Sequence, residues 1–208
     1  MKFIPSLITA LLITAGNIVT QPATAYASPA NDARKLVEDF HVTLLDVMKR
    51  AKTLGIAGRY EKLKPEVGER FNITLMAALT TGKHWRGATP DERKRLADAF
   101  HRYSAATYAS RFSKFTGESF ETLGVRKGPR GTQLVRTQIR RPNNSPVAFT
   151  YVTRAVGAAW RIIDVLVDKG ISELAVKRSE YRSTLNTGGI RKLVQLLDKE
   201  SDKLLAEK

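Results

Sequence analysis

Not one of the 208 residues is cysteine, and only three are histidine. The first absence excludes a disulfide framework, a thiolate zinc or iron–sulfur site and a cysteine nucleophile. The second leaves little to hold a metal, because His41, His84 and His101 stand far apart and none sits in an HExxH or similar ligand spacing. A Gly-x-Ser-x-Gly elbow is also missing: Gly117-Glu118-Ser119-Phe120-Glu121 does not qualify. The two glycines of Gly128-Pro129-Arg130-Gly131 lie between strand-like segments, which makes a hairpin turn rather than a phosphate cradle. Glu118 and Glu121 are an acid pair with nothing to place them in a cleft. We therefore expect no catalytic residue, no metal, no cofactor and no enzymatic activity.

Long apolar runs are scarce as well. Beyond residue 19 none is apolar enough to span a bilayer. Before it, Lys2 leads into an uncharged, mostly apolar run over residues 3–19, followed by Gln21-Pro22 and the small-residue sequence Ala25-Tyr26-Ala27. That is the pattern of a secretory signal cleaved after Ala27. The other reading, an N-terminal anchor, meets Pro5, Gly16 and Asn17 inside a run that is short for a span. The expected organisation is a cleaved signal peptide over 1–27 and a single domain over 28–208, exported most simply to a bacterial periplasm.

What the chain has in excess is positive charge, 35 Lys and Arg against 20 Asp and Glu. The excess is concentrated: residues 83–141 carry a balance of +9, against +2 over 31–70 and +3 over 142–208. A basic middle suits nucleic acid or an anionic surface. Export argues against nucleic acid and for phospholipid or lipopolysaccharide head groups. Arg93, Lys94 and Arg95 are the candidate docking residues, consecutive near the start of a helix. A solvated face that only aids solubility is the plainer alternative.

Hydrophobic periodicity divides the domain into helices, strands and helices. Leu36, Val37, Phe40, Leu44, Val47 and Met48 mark an amphipathic helix over 32–53 that opens near Asn31 or Asp32. Residues 60–82 read as one or two short helices with Pro65 starting a turn. Thr89-Pro90-Asp91-Glu92 is a capping box with proline at the first helical position, opening a helix to about Phe112 with Leu96, Phe100, Tyr103 and Thr107 on one face. Four strands follow, over 120–126, 132–140, 147–154 and 160–168, separated by turn chemistry at 128–131, at 142–146 and at Gly157. Helix returns over 172–186, breaks at Gly188-Gly189 and resumes from Ile190. The order predicts an α+β fold, a four-stranded antiparallel curved sheet with helices before and after it.

Large apolar side chains are plentiful on both layers. The helices supply Phe71, Leu75, Met76, Leu79, Trp85, Phe100, Tyr103, Tyr108 and Phe112; the sheet supplies Phe149, Tyr151, Trp160 and Ile162. They form either an ordinary filled core or the lining of a hollow that takes an apolar ligand, and period alone does not separate the two. Asp164 shares strand parity with Trp160 and Ile162, and Ser172, Glu173, Arg178 and Glu180 lie at or on the following helix. Fixing that helix on the sheet is the plainer role for them, head-group binding the other.

Several of these motifs resemble a known family. Gly82-Lys83-His84-Trp85, Ala88-Thr89-Pro90-Asp91-Glu92-Arg93, Ala99-Phe100 and Thr107-Tyr108-Ala109 are similar to the middle of the periplasmic phospholipid-binding proteins of the Mla pathway, also called toluene-tolerance proteins. Trp160-Arg161-Ile162-Ile163-Asp164-Val165, Gly170-Ile171-Ser172-Glu173-Leu174-Ala175, Arg178-Ser179-Glu180-Tyr181 and Gly188-Gly189 resemble its C-terminal part, specifically the hopanoid-associated branch, HpnM. The likeness spans roughly residues 34–205. Asn72 departs from a common Phe-Asp pair and Tyr181 from a common Phe; neither removes a catalytic group. The resemblance implies a carrier that encloses the acyl chains of a phospholipid or hopanoid between sheet and helices. It also implies an inner-membrane transporter with an MCE component, or an RND-type transporter for the hopanoid branch, and an outer-membrane acceptor. The competing reading is a basic, non-enzymatic module that recognises an anionic surface or a protein partner.

Overall fold

The first helix begins at a proline. In the computed structural model, which describes residues 28–206 apart from Lys169, Ser28 caps helix α1 (Pro29–Lys49) by accepting from the Asn31 amide. The start thus falls a few residues earlier than Asn31 or Asp32, because Pro29 suits a first turn whose amides have no helical partner. The expected signal segment 1–27 lies outside the described residues, and among those described no helix is long and apolar enough to cross a membrane.

Helix α2 (Ala51–Arg70) runs straight through Pro65, where the sequence suggested a turn. Leu63 and Val67 on either side are fully buried and hold the segment helical, while the proline ring faces solvent. The irregularity in this helix is Gly55 instead, with φ 60° and ψ −177°. Helices α3 (Ile73–Thr81), α4 (Lys83–Gly87) and α5 (Pro90–Arg111) follow. At the last, Thr89 and Glu92 form both halves of the capping box.

The sheet is an antiparallel meander in the order β1 (Ser119–Lys127), β2 (Thr132–Arg141), β3 (Asn144–Val156), β4 (Ala159–Val167) and β5 (Ile171–Ser172). Five strands replace the expected four. The fifth is two residues long, pairing Ile171 with Val167 and Ser172 with Leu166, too short to leave a period in the sequence. The register shifts at three places, one leaving Leu123 without a partner on β1, one between Ile139 and Arg141 near the β2–β3 turn, and one, a bulge, leaving Ile163 without a partner on β4. Helix α6 (Glu173–Ala206) closes the chain; its break falls at Gly189, where φ is 61° and ψ −158°.

Helix α1 lies directly on the sheet and touches β1 through β4, burying Val37, Phe40, Leu44 and Val47. Each such side chain contributes about 1.5–3 kcal/mol on leaving water. The junction of α2 and α3 is stitched to β4 by a short parallel bridge between Phe71 and Ile162, with the Asn72 amide donating to the Ile162 carbonyl at 2.8 Å. Helix α5, by contrast, packs on α2, α3 and α6 and stands off from the sheet. The space between α5 and the sheet is where the functional site lies.

Candidate functional site

That space is a cavity of about 380 Å³. One wall is the face of α5 that carries Phe100, Tyr103, Thr107 and Tyr108, repeating at three and four residues, and it ends at Phe112. The opposite wall is the inner face of the sheet: Phe120 from β1, Ile139 from β2, Val147, Phe149 and Tyr151 from β3, and Val165 and Val167 from β4. Phe71 and Met76 close one end, and Leu174 comes from the start of α6. Edge-to-face contacts at 5.2–5.3 Å set Phe40 against Tyr108 and Phe71, so the rings behind the wall are locked together.

Eight of the candidate residues stand on this wall: Phe71, Met76, Phe100, Tyr103, Tyr108, Phe112, Phe149 and Tyr151. Five stand elsewhere. On α3 the buried positions are Met76, Ala77, Thr80 and Thr81, so Leu75 and Leu79 fall on the other face, the latter 46% exposed. Trp85 packs at the edge of the core beneath the Arg93 guanidinium, 5.8 Å from its ring. Ile162 is fully buried in the core, and Trp160 lines a separate depression with Leu36 and Arg70.

The bulge explains the error on β4. Below it, Ile162 pairs with Thr153; above it, Asp164 pairs with Val152 and Val165 with Tyr151. One extra residue shifts strand parity, so Val165 and Val167 join Phe149 and Tyr151 on the inner face, while Asp164 leaves the face of Trp160 and Ile162. Asp164 then accepts from Ser172 Oγ at 2.6 Å and from the Leu174 amide at 3.2 Å, and Ser172 accepts from the Ala175 amide at 3.0 Å. These two side chains tie the start of α6 to β4. Glu180 pairs with Lys177 at 2.9 Å.

Polar groups also line the cavity. Arg111, Arg141, Lys177 and Glu173 are its charged residues, with Ser104 and Thr107 beside them in the lining. Burial works against the Lys177 ammonium, but Glu180 and the Tyr103 hydroxyl, 3.2 Å away, outweigh it and hold its pKa above the ordinary value. Behind the wall, the Tyr151 hydroxyl lies 3.1 Å from Nε2 of His41, whose ring stacks on Phe120 at 4.1 Å. Burial pulls His41 down to about pKa 4 and pushes the Tyr108 and Tyr151 phenols up, so all three are neutral at physiological pH. Among the described residues no group of acids and histidines is arranged to hold a metal ion.

The candidate docking residues are spoken for locally. Lys94 pairs with Asp98 and Arg95 with Asp91, each at 2.7 Å and one helical turn away. Arg93 donates to the carbonyls of Trp85 and Arg86.

A helix-covered antiparallel sheet that leaves an apolar, ring-lined hollow between the layers defines a binding protein for an elongated apolar ligand. Within that class, the chain belongs to the MlaC protein family, whose model matches residues 38–199. It is similar in structure to the phospholipid-binding protein of Ralstonia solanacearum, solved in complex with a phospholipid: the TM-score is 0.72 at 20% sequence identity, over 83% of this chain and 98% of that one. At that identity the likeness establishes the fold.

Proposed function

We propose that this protein is a periplasmic lipid carrier that holds phospholipid acyl chain in the cavity between α5 and the sheet, with the phosphate against Arg111, Arg141 and Lys177. The observation that carries the reading is the cavity itself, walled by aromatic and branched side chains from both layers and lined also by Arg111, Arg141 and Lys177, the last paired with Glu180. Membership of the MlaC family and the phospholipid bound by the Ralstonia solanacearum protein support it. A hopanoid, the ligand implied by the HpnM resemblance, suits the apolar wall equally but makes less use of the three cations.

At about 30 Å³ for each water-sized group, the cavity volume holds roughly a dozen groups, close to one acyl chain. At about 0.8 kcal/mol per buried methylene, a chain of about a dozen such groups gains roughly 10 kcal/mol on leaving water, and a second chain left in water would cost a similar amount. Release into solution is therefore far too slow to use. Lipid has to pass directly between apolar environments, which in this reading are an inner-membrane transporter, of MCE or RND type, and an outer-membrane acceptor.

Native mass spectrometry of the purified protein tests this. A lipid-mass adduct, identified after extraction as phospholipid, is the expected result. Met76→Trp, which fills one end of the cavity, should lower the loaded fraction while the protein stays folded. A wild-type protein that flies without adduct after gentle purification, and takes up none from vesicles, defeats the carrier reading.

A further inference from the structure

The cavity wall runs out into two connections that touch each other. The α5–β1 loop, residues 112–118, leaves from Phe112 on the cavity wall; the β2–β3 turn leaves from Arg141, also on that wall. At Gly117 an added Cβ would come within 2.8 Å of the Pro142 ring, so loop and turn are in contact. Phe115, at the middle of the loop, is 39% exposed, and Nζ of Lys49, from the end of α1, lies 5.6 Å over its ring. Lys114 precedes it. Among the described residues no carboxylate forms an ion pair with Lys49, Arg111, Lys114 or Arg141.

The acids nearby are engaged in other ways. Glu118 is buried, accepts from the Thr116 amide and hydroxyl and feels the Lys114 charge at longer range, and Glu121 accepts from Arg140 and Gln138. Glu173 lines the cavity with Arg111, Arg141 and Lys177, and Lys177 is paired with Glu180 at 2.9 Å. This end of the molecule therefore presents an excess of positive charge around an exposed aromatic ring, beside an apolar hollow, with Arg141 also donating to the Ser145 carbonyl at 3.0 Å.

We propose that the α5–β1 loop and the β2–β3 turn form a membrane-docking edge that seats on anionic phospholipid head groups, with Phe115 entering the interface and Lys49, Arg111, Lys114 and Arg141 facing phosphates. An aromatic ring with cations at its rim matches the head-group layer, where an apolar body and a charged tip are both satisfied. An acidic protein surface would use the charges but gives no reason for an exposed phenylalanine next to the cavity. The use of this edge rests on the carrier reading: docked there, the protein holds its cavity against the bilayer, and an acyl chain crosses without meeting bulk water.

The test is co-sedimentation with vesicles, of phosphatidylcholine alone or mixed with phosphatidylglycerol, with lipid content of the same protein measured by native mass spectrometry. Binding to the mixed vesicles only, falling as salt is raised, is the expected result. Lys49→Gln and Lys114→Gln should each weaken it about five-fold, and together about twenty-five-fold. Phe115→Ser should weaken it further at high salt, where charge is screened. Lys94→Gln with Arg95→Gln removes the same net charge from the start of α5, away from this edge, and should change binding by less than about two-fold; an equal loss there would mean diffuse attraction and overturn the proposal. Absence of vesicle binding while lipid still copurifies overturns docking and leaves the carrier standing. Binding by a protein that never holds lipid keeps the docking edge and removes the carrier.

Discussion

His41 is an ionisable side chain placed where its charge has no solvent and no carboxylate. Packed flat on Phe120 and bonded to Tyr151, it is held near pKa 4, against about 6.5 in an unfolded chain. The unfolded state therefore binds a proton that the folded state refuses. Stability from this residue is complete above pH 6.5 and is lost as pH falls toward 4, by roughly 3 kcal/mol over the window. Melting temperature followed from pH 7 to pH 4 should decline, and His41→Gln, which keeps a partner for the Tyr151 hydroxyl but does not titrate, should flatten the decline. An unchanged slope in the variant assigns the acid sensitivity to other groups.

At the level of elements, the two helices with a glycine break are each two rigid segments joined at one residue. Gly189 has φ 61° and ψ −158°, a region that side chains with a Cβ avoid, although nothing lies within 4 Å of where a Cβ would be. Gly189→Ala therefore strains the backbone without a collision, and should lower stability by about 1–3 kcal/mol in a urea melt. A neutral result would show that the bend of α6 is not fixed by the fold. This break was legible in the sequence, as were the capping box at Thr89 and the inward face of α5, because each is written in a local pattern of a few residues. The β4 wall was not. Whether Val165 or Asp164 faces the cavity depends on one unpaired residue, Ile163, and a bulge leaves no mark in an alternation of apolar residues. The same limit applies to α2, whose passage through Pro65 is decided by what Leu63 and Val67 bury against, and to Leu79, whose apolar character says nothing of the face it lies on. Phe120, Arg111 and Arg141 come from three elements, β1, α5 and β2, whose local patterns do not show that they share a wall. Only the register of β1 on β2 and β2 on β3, together with the placement of α5, brings them to one hollow.

At the scale of the whole molecule, α1 and the sheet form a conventional packed core, while α5 and the sheet face each other across a gap. A ligand that fills the gap binds the folded state alone and so adds to its stability, by about 2.7 kcal/mol when free ligand is at a hundred times its dissociation constant. For a domain of this size that corresponds to about 5–10 °C in melting temperature. Protein stripped of lipid by solvent or detergent exchange should melt lower by that order and recover when vesicles are added back; identical melting curves would mean that the cavity carries no stabilising ligand. The gap then has a consequence for the lifetime of the protein. Proteases act on chains that open, and the empty form opens more often than the filled one, so turnover removes idle copies first. A cell that stops supplying lipid to this protein would lose the protein as well, with no regulator beyond the hollow between two layers.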